Sequence, residues 1–483
     1  MNSLSIITVG HNYFLECRKI IMQYYPNYQI YVNKDISTLI KFIISVDTED
    51  ISIQYYNKEV LIRTYIKRKN LSREIKKDII KHLYKSLSDL LGKKLPWGIL
   101  TGIRPVKIPH KLLLEGLSDE QIKSTLQNNY YISEEKSNMI LKLAKKEIQT
   151  VYPYKKNIAI LYISIPFCPS RCNYCSFISS TVKDEYILQW YIESLGKEID
   201  IILNYLLHNK IKISTLYIGG GTPSILNERL LYKLFIKLSN YIALDKLDEI
   251  TFEGGRPDTI SEEKLKILKN FHVNRISINP QTLNDTTLKN IGRRHTAKDY
   301  YRAMDIARKL GFDNINNDII IGLENEDIDD IKYTMENIVK LAPKNITIHN
   351  LSLKKSSILK NQIESFVFKE ADIIVKMNDI AKSILLKNNY MPYYLYRQKY
   401  TQGNLENIGF CKEGKEGVYN IQIMSEKISV IGLGAGSSGK AFFSDINKLE
   451  RMETVKNIES YMDNIDSICN KKIKVIEKLR NCN

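Results

Sequence analysis

Between residues 155 and 390 the chain repeats one pattern: a short run of β-branched and apolar residues, a polar or glycine-containing loop, then a longer segment of helical periodicity. The runs are IAILYISI, ISTLYIG, EITFE, NRISIN, NINNDIII and NITIHNL, and the helical segments include EYILQWYIESLGKEIDIILNYLL and TAKDYYRAMDIARKL. This alternation leaves few folds open. Consecutive parallel strands need crossover connections, those crossovers are right-handed, and the helices they contain cover the sheet faces. The expectation is an α/β fold in which residues 155–390 curl into a partial (β/α)6 barrel.

The flanks read differently. Residues 1–154 predict an N-terminal α/β domain, in which LSIITVG and QIYVN alternate like strands around the amphipathic YFLECRKIIMQYY. DISIQYYNKEVLIRTYI reads as a hairpin turning at Asn57 and Lys58, and SREIKKDIIKHLYKSLSDLLG is helical up to Gly92. LPWGILTGIRPVK, from Leu95 to Lys107, reads as a structured turn. Residues 391–483 predict a C-terminal α+β extension, with NIQIMSEKISVIGLG strand-like and an amphipathic helix closing the chain.

At 483 residues, 43% hydrophobic and 26% charged, the chain is long enough for several cores. No apolar stretch approaches the roughly 20 residues of a membrane span. MNSLSIITVGHNYF has neither a basic leader nor a small-residue cleavage site, so a cytoplasmic address is expected. The net charge of +17 is spread along the chain, without an arginine-rich helix or an RNA-binding aromatic motif. No nucleic-acid partner is expected; an acidic small substrate suits the same charge.

Of seven cysteines, Cys17, Cys411, Cys469 and Cys482 stand singly, whereas Cys168, Cys172 and Cys175 crowd into FCPSRCNYCSF. That is no disulfide framework. A structural zinc site takes four closed ligands, usually in two pairs, and this loop offers three. Three thiolates can hold three irons of a 4Fe-4S cluster and leave the fourth open to an amino-acid chelate. The alternatives are a zinc site short of a ligand, or three buried thiols; the barrel context argues against both.

In parallel barrels the reacting groups gather at the C-terminal strand ends. Here the cysteine loop follows the first strand, GGGTPS (Gly219–Ser224) the second, Glu253 ends the third, Asn279 and Gln281 follow the fourth, Asp318 lies in the fifth, and His349 and Asn350 close the sixth. The glycines either let backbone N–H groups approach an amine-carboxylate head closely or make a tight turn. Glu253 either bonds such a ligand or caps a helix. His349 is assigned no role.

On CPSRCNYC and YIGGGTPS the chain resembles the radical S-adenosylmethionine (SAM) superfamily. With YISIPFCPSRCNYCSF, INPQTLNDTTLKNIGRRH and NNDIIIGL it is similar to the oxygen-independent coproporphyrinogen III oxidase group, over about residues 155–440. LPWGILTGIRPVK and PYYLYRQKYTQGNLENIGF resemble its HemZ-type coproporphyrinogen dehydrogenases, which carry an extra N-terminal domain. The resemblance implies that Cys168, Cys172 and Cys175 hold a 4Fe-4S cluster whose open iron binds SAM. It sets Phe177 beside SAM, Gly220, Gly221 and Thr222 along its methionine part, Glu253, Gln281, Arg293 and Asp318 on amine and ribose, and Ile320 and Leu351 against adenine. Tyr162 would sit beside the cluster and, with Glu253, serve catalysis.

The implied activity is a radical decarboxylation in heme biosynthesis. One electron, from a donor such as flavodoxin or ferredoxin, cleaves SAM to a 5'-deoxyadenosyl radical, which takes hydrogen from a propionate of coproporphyrinogen III. Loss of carbon dioxide leaves a vinyl group, and two rounds give protoporphyrinogen IX. Candidate propionate partners are Arg293, Arg294, His295, Arg397, Arg104 and Lys107. A heme-binding chaperone and a radical SAM enzyme for another tetrapyrrole are the alternatives. Two departures bear on them: Phe177 stands where some members have a fourth cysteine, and EGGRPDT replaces a commoner Glu-Ala-Asn-Pro type while keeping Glu253.

Overall fold

The computed structural model describes residues 2–26, 28–34, 36–68, 74–153, 157–176, 180–181, 184–352, 370–398 and 401–481. They form two compact units, Met1–Lys145 and Lys146–Asn483.

The first unit is built on five strands, β1 (Ser3–Val9), β2 (Gln29–Val32), β3 (Ile40–Val46), β4 (Asp50–Asn57) and β5 (Val60–Arg68), in the order β2-β1-β3-β4-β5. Strand β1 is parallel to β2 and β3, and the remaining pairs are antiparallel. Period-two alternation buries Ile40, Phe42, Ile44 and Val46 of β3 together with Cys17, Ile20 and Ile21 of helix Phe14–Tyr24 and Leu83 and Leu87 of helix Ile75–Leu91. The latter helix ends at Gly92, whose φ of 60° supplies the left-handed cap expected of that glycine. The hairpin turns one residue later than expected. Lys58 and Glu59 take positive φ, 47° and 66°, because Asn57 still pairs with Val60 and the right-handed twist of the strands favours a left-handed two-residue turn.

The second unit contains β6 (Ile158–Ile165), β7 (Phe167–Cys168), β8 (Ser180–Thr181), β9 (Lys212–Gly220), β10 (Glu249–Gly255), β11 (Arg275–Ile278), β12 (Asn314–Ile321), β13 (Asn345–Asn350), β14 (Met391–Arg397), β15 (Glu406–Cys411), β16 (Ser429–Leu433), β17 (Ser438–Phe443) and β18 (Lys448–Glu453). Eleven of them form one sheet, ordered β14-β15-β13-β12-β11-β10-β9-β6-β16-β17-β18. Its six central strands, β6, β9, β10, β11, β12 and β13, run parallel in sequence order, as the six strand-helix units require. The sheet does not close on itself, so the barrel is partial.

Helices on the outside explain the near-continuous apolar runs, since both strand faces are covered. Ile160, Leu161, Ile163, Leu216, Ile218, Ile250, Ile276 and Ile319 are at most 1% exposed, each contributing roughly 1.5–3 kcal/mol by burial. The crossover helices start at side-chain caps: Asp184 for Glu185–His208, Thr296 for Ala297–Lys309 and Asp327 for Ile328–Lys340. Buried runs are interrupted at single half-exposed positions, Tyr162, Tyr217, Glu253, Asp318 and His349, which are the inward-facing polar residues of the barrel.

Beyond residue 390, β15 pairs antiparallel with β13 and β14 antiparallel with β15, while β16 lies parallel to β6 and carries β17 and β18. The strand expected over NIQIMSEKISVIGLG is corrected. Val418–Ser425 is a helix that stops at Glu426, φ 53°, and only Ser429–Leu433 is strand. The reason is distant in sequence. The buried Glu249 carboxylate at the start of β10 accepts the first N–H groups of this helix, Val418 at 2.7 Å and Tyr419 at 3.3 Å, serving as its N-cap. The closing helix, Ile465–Asn481, is fixed by Lys472, whose Nζ lies 2.5 Å from buried Glu198; Tyr461 donates to the same carboxylate at 2.6 Å. Among the described residues no helix is long and apolar enough to cross a membrane.

Candidate active site

The cysteine loop leaves the top of β6 and is held from two sides. From β9, Gly221 N–H donates to Ile165 C=O at 2.8 Å and Thr222 N–H to Phe167 C=O at 2.7 Å. This approach requires glycine, because a Cβ on Gly221 would stand 2.5 Å from Phe167 O. The Thr222 hydroxyl then reaches Cys168 Sγ at 3.5 Å. From the other side, Asn173 N–H and Nδ2 donate to the carbonyls of Ile291, at 3.0 Å, and Asn290, at 2.8 Å. Gly292, φ 80°, passes so close that a Cβ would lie 2.8 Å from Arg171 O. Inside the loop Cys175 N–H closes a turn on Cys172 C=O at 3.1 Å. Cys168 and Cys175 are half-buried and Cys172 buried.

One expectation fails here. The N–H groups of the glycine run are not free for a ligand: those of Gly221 and Thr222 hold the loop, and that of Gly220 bonds the Glu253 carboxylate. A strand-to-loop junction this tight uses its own donors.

Arg293 ties the site together. Its Nη1 donates to Asn279 C=O at 3.0 Å and Gly255 C=O at 3.2 Å, at the ends of β11 and β10, and its Nη2 reaches Tyr174 Oη of the cysteine loop at 3.1 Å. Its Nε is buried without a hydrogen-bond partner. Burial pushes the Tyr174 phenol up, and only partly does Arg293 offset it. Gln281, φ 68°, bridges to β12 through its backbone, its N–H on Asp318 C=O and its C=O under Ile320 N–H, both at 3.0 Å. Its side-chain Oε1 is buried and unpartnered. Ile320 and Leu351 pack with Leu288, Ile291 and Leu323 into an apolar cluster against Tyr174.

Inside the barrel stand Glu253 and Asp318. Burial, with Asp318 adding repulsion, pushes the Glu253 carboxyl up to about 8, although bonds from Gly220 N–H and Tyr217 oppose the shift. Burial acts on Asp318 in the same direction, but there His349 and hydrogen bonds from Asn316 and Thr347 win and hold it below the usual range. His349 Nε2 lies 3.6 Å from Asp318 Oδ1, and its Nδ1 bonds Tyr396 Oη at 3.1 Å. Tyr162 stacks on Tyr217, ring centroids 6.0 Å apart, and Tyr217 on Tyr419 at 4.3 Å. Burial, with the Glu253 carboxylate adding repulsion, raises the phenol of Tyr162, which stays protonated.

The fold thus gathers Cys168, Cys172, Cys175, Tyr162, Gly220, Gly221, Thr222, Glu253, Gln281, Arg293, Asp318, Ile320 and Leu351 at the C-terminal ends of the parallel strands. Phe177 lies outside the described residues. Of the cations considered as propionate partners, Arg293 is committed to the backbone, Arg397 is 4% exposed with Nη2 on Asn404, and His295 is buried, its pKa lowered to about 3 by burial and Arg293. Arg294 is exposed. Arg104 and Lys107 belong to the first unit. Sequence reasoning passed over Tyr217, Arg256 and the pairing of His349 with Asp318. For Tyr217 and His349 the available signal was a polar residue at an inward position of an otherwise apolar strand.

No three His, Cys, Asp or Glu side chains among the described residues converge as they would on a single metal ion. An iron-sulfur cube makes no such demand, because each of its irons takes its own thiolate at a separate corner. The donor set fits it: three cysteines on one loop, a threonine hydroxyl on one sulfur, and the buried Gln281 oxygen left without a donor.

A partial parallel barrel carrying C-x3-C-x2-C after its first strand defines a class, and residues 162–338 match the Radical SAM superfamily. The oxygen-independent coproporphyrinogen-III oxidase-like protein HemZ of Bacillus subtilis (strain 168) is 36% identical over 411 residues, covering 83% of this chain and 81% of that one. The heme chaperone HemW of Lactococcus lactis subsp. lactis (strain IL1403) is 32% identical over 280 residues, 58% of this chain and 68% of that. Among solved structures, coproporphyrinogen III oxidase (HemN) from Escherichia coli, a Radical SAM enzyme, shares the fold with a TM-score of 0.52 at 20% identity, over 66% of this chain and 72% of that. The chain belongs to the HemZ family of the radical SAM superfamily. Membership implies a 4Fe-4S cluster and SAM as cofactors.

Proposed function

We propose that this protein decarboxylates tetrapyrrole propionates by a radical route, converting coproporphyrinogen III to protoporphyrinogen IX without oxygen. The observation that carries the reading is the meeting of a three-thiol loop with Glu253, Gln281 and Asp318 at one end of the parallel strands, in a chain 36% identical to an oxidase-like relative. Cys168, Cys172 and Cys175 would ligate the cluster, with Thr222 donating to Cys168. When bound, cluster and SAM would supply a 5'-deoxyadenosyl radical that takes hydrogen from the substrate. Gln281 Oε1 offers an acceptor to SAM's ammonium or ribose, and Asp318, held ionised by His349, a second one. Glu253, protonated near neutrality, offers a donor; Tyr162 shields the thiol loop; Ile320 and Leu351 present an apolar face to adenine. A one-electron carrier such as a flavodoxin or ferredoxin would supply the reductant.

A second reading has its own support: the 32% identity to a heme chaperone extends over 280 residues, 58% of this chain. One anaerobic experiment separates them. The cluster is reconstituted and reductant, SAM and coproporphyrinogen III are added. Protoporphyrinogen appearing with 5'-deoxyadenosine is the expected result. Stoichiometric heme binding without SAM cleavage would replace this reading with the chaperone, and SAM cleavage with the porphyrinogen untouched would replace the substrate.

A further inference from the structure

Arg256 follows β10 in EGGRPDT, where the chain departs from the resembled pattern, and it is 2% exposed. Burying a guanidinium is costly unless its charge is paired and its donors are used. Two of its nitrogens fork onto Asp258, Nε to Oδ1 and Nη2 to Oδ2, both at 3.2 Å. The third, Nη1, reaches into the cysteine loop, 2.6 Å from Ser170 Oγ and 3.4 Å from Ser170 O. Ser170 lies midway between Cys168 and Cys172, and its hydroxyl, accepting from Arg256, donates onward to Gly292 C=O at 2.9 Å. The end of β10, the thiol loop and the Gly292 turn are thereby joined through one side chain.

The geometry points to Arg256 as a positioning residue for the cluster: it fixes the loop between two thiols and turns a positive edge toward them. This inference rests on the reading that the loop carries an iron-sulfur cluster. The orientation decides the sign of the effect. Asp258, with its side chain 22% exposed, neutralises the guanidinium from the far side, whereas Nη1 meets Ser170, so the pair presents its positive end to the loop segment between Cys168 and Cys172. A reduced cluster carries one more negative charge than an oxidised one, and a neighbouring positive charge favours it. Lysine would keep the charge but lose the fork.

The test uses the full-length reconstituted protein and two readouts independent of turnover: the rate at which a chelator strips iron, and the cluster midpoint potential from a spectroscopic redox titration. Arg256→Gln should lose iron at least tenfold faster and lower the reduced-to-oxidised ratio about tenfold at a given poise, about 59 mV more negative. Asp258→Asn, which leaves the guanidinium uncompensated, should move the potential the opposite way. Arg256→Lys should hold the potential near wild type while losing iron faster. A purely structural side chain would not give opposite potential shifts from the two members of one ion pair. Should Arg256→Gln fail to fold, Asp258→Asn and Arg256→Lys decide. Wild-type-like iron retention and potential in the folded variants overturn the inference alone. Wild-type protein that takes up no iron overturns the functional reading and this inference with it.

Discussion

Glu249 and Glu253 stand four residues apart on the same strand, at opposite ends of the barrel, and their surroundings differ in kind. Glu249, 4% exposed, is fully answered: Thr251 donates to one oxygen at 2.8 Å and the helix Val418–Ser425 brings two backbone N–H groups. Glu253 is half-buried, has Gly220 N–H and Tyr217 as donors, faces the repulsion of Asp318, and is pushed up to about 8. A carboxylate given every partner it can use holds a fold together. One left partly unanswered at the C-terminal strand ends is poised for a ligand, and strained electrostatics of this kind gather where function does.

Substitution separates the two carboxylates. The largest effect is expected at the closed end: Glu249→Ala removes the cap of Val418–Ser425 and strands its N–H groups, which should cost about 4 kcal/mol. Chemical denaturation of the metal-free protein measures it, and a loss under 1 kcal/mol would contradict the assigned anchoring role. Next, Glu253→Gln should leave that denaturation midpoint nearly unchanged at about pH 5, where the folded protein still holds the Glu253 proton, while SAM cleavage near neutrality falls about 100-fold, or about 2.7 kcal/mol in barrier. A stability loss as large as that of Glu249→Ala would erase the contrast.

The smallest effect sharpens it. Because the folded-state value of Glu253 lies above its ordinary 4.5, the folded protein holds a proton that the unfolded chain has released. The stability it contributes is therefore complete below about pH 4.5 and is lost as pH rises through about 8. In metal-free protein, wild type should lose stability relative to Glu253→Gln between pH 5 and 8.5, values spanning that window. Parallel pH profiles for the two proteins would show that Glu253 is not protonated there.

How much of this was legible in the sequence follows from how local each cause is. IAILYISI through NITIHNL announced six parallel strands because burial on both faces leaves its mark in consecutive residues. Gly92 ended its helix where a left-handed cap was needed. For GGGT a tight turn was one of two readings open in the sequence, and nothing local showed that its N–H groups would be consumed in holding the cysteine loop. Val418–Ser425 was misread because its alternation looks like strand, and the glutamate that caps it lies 169 residues earlier. The contacts of Arg256 with Ser170 and of His349 with Asp318 gave no signal for the same reason.

The sequence by itself determined the order of strands and helices, the three-thiol loop after the first strand and the polar residues at strand ends, since these depend on periodicity and on neighbours a few positions apart. Only the tertiary structure decided which carboxylates would be answered and which left poised. Solvation and hydrogen bonding at Glu249, Glu253 and Asp318 come from side chains and backbone far along the chain, brought within a few ångströms by folding.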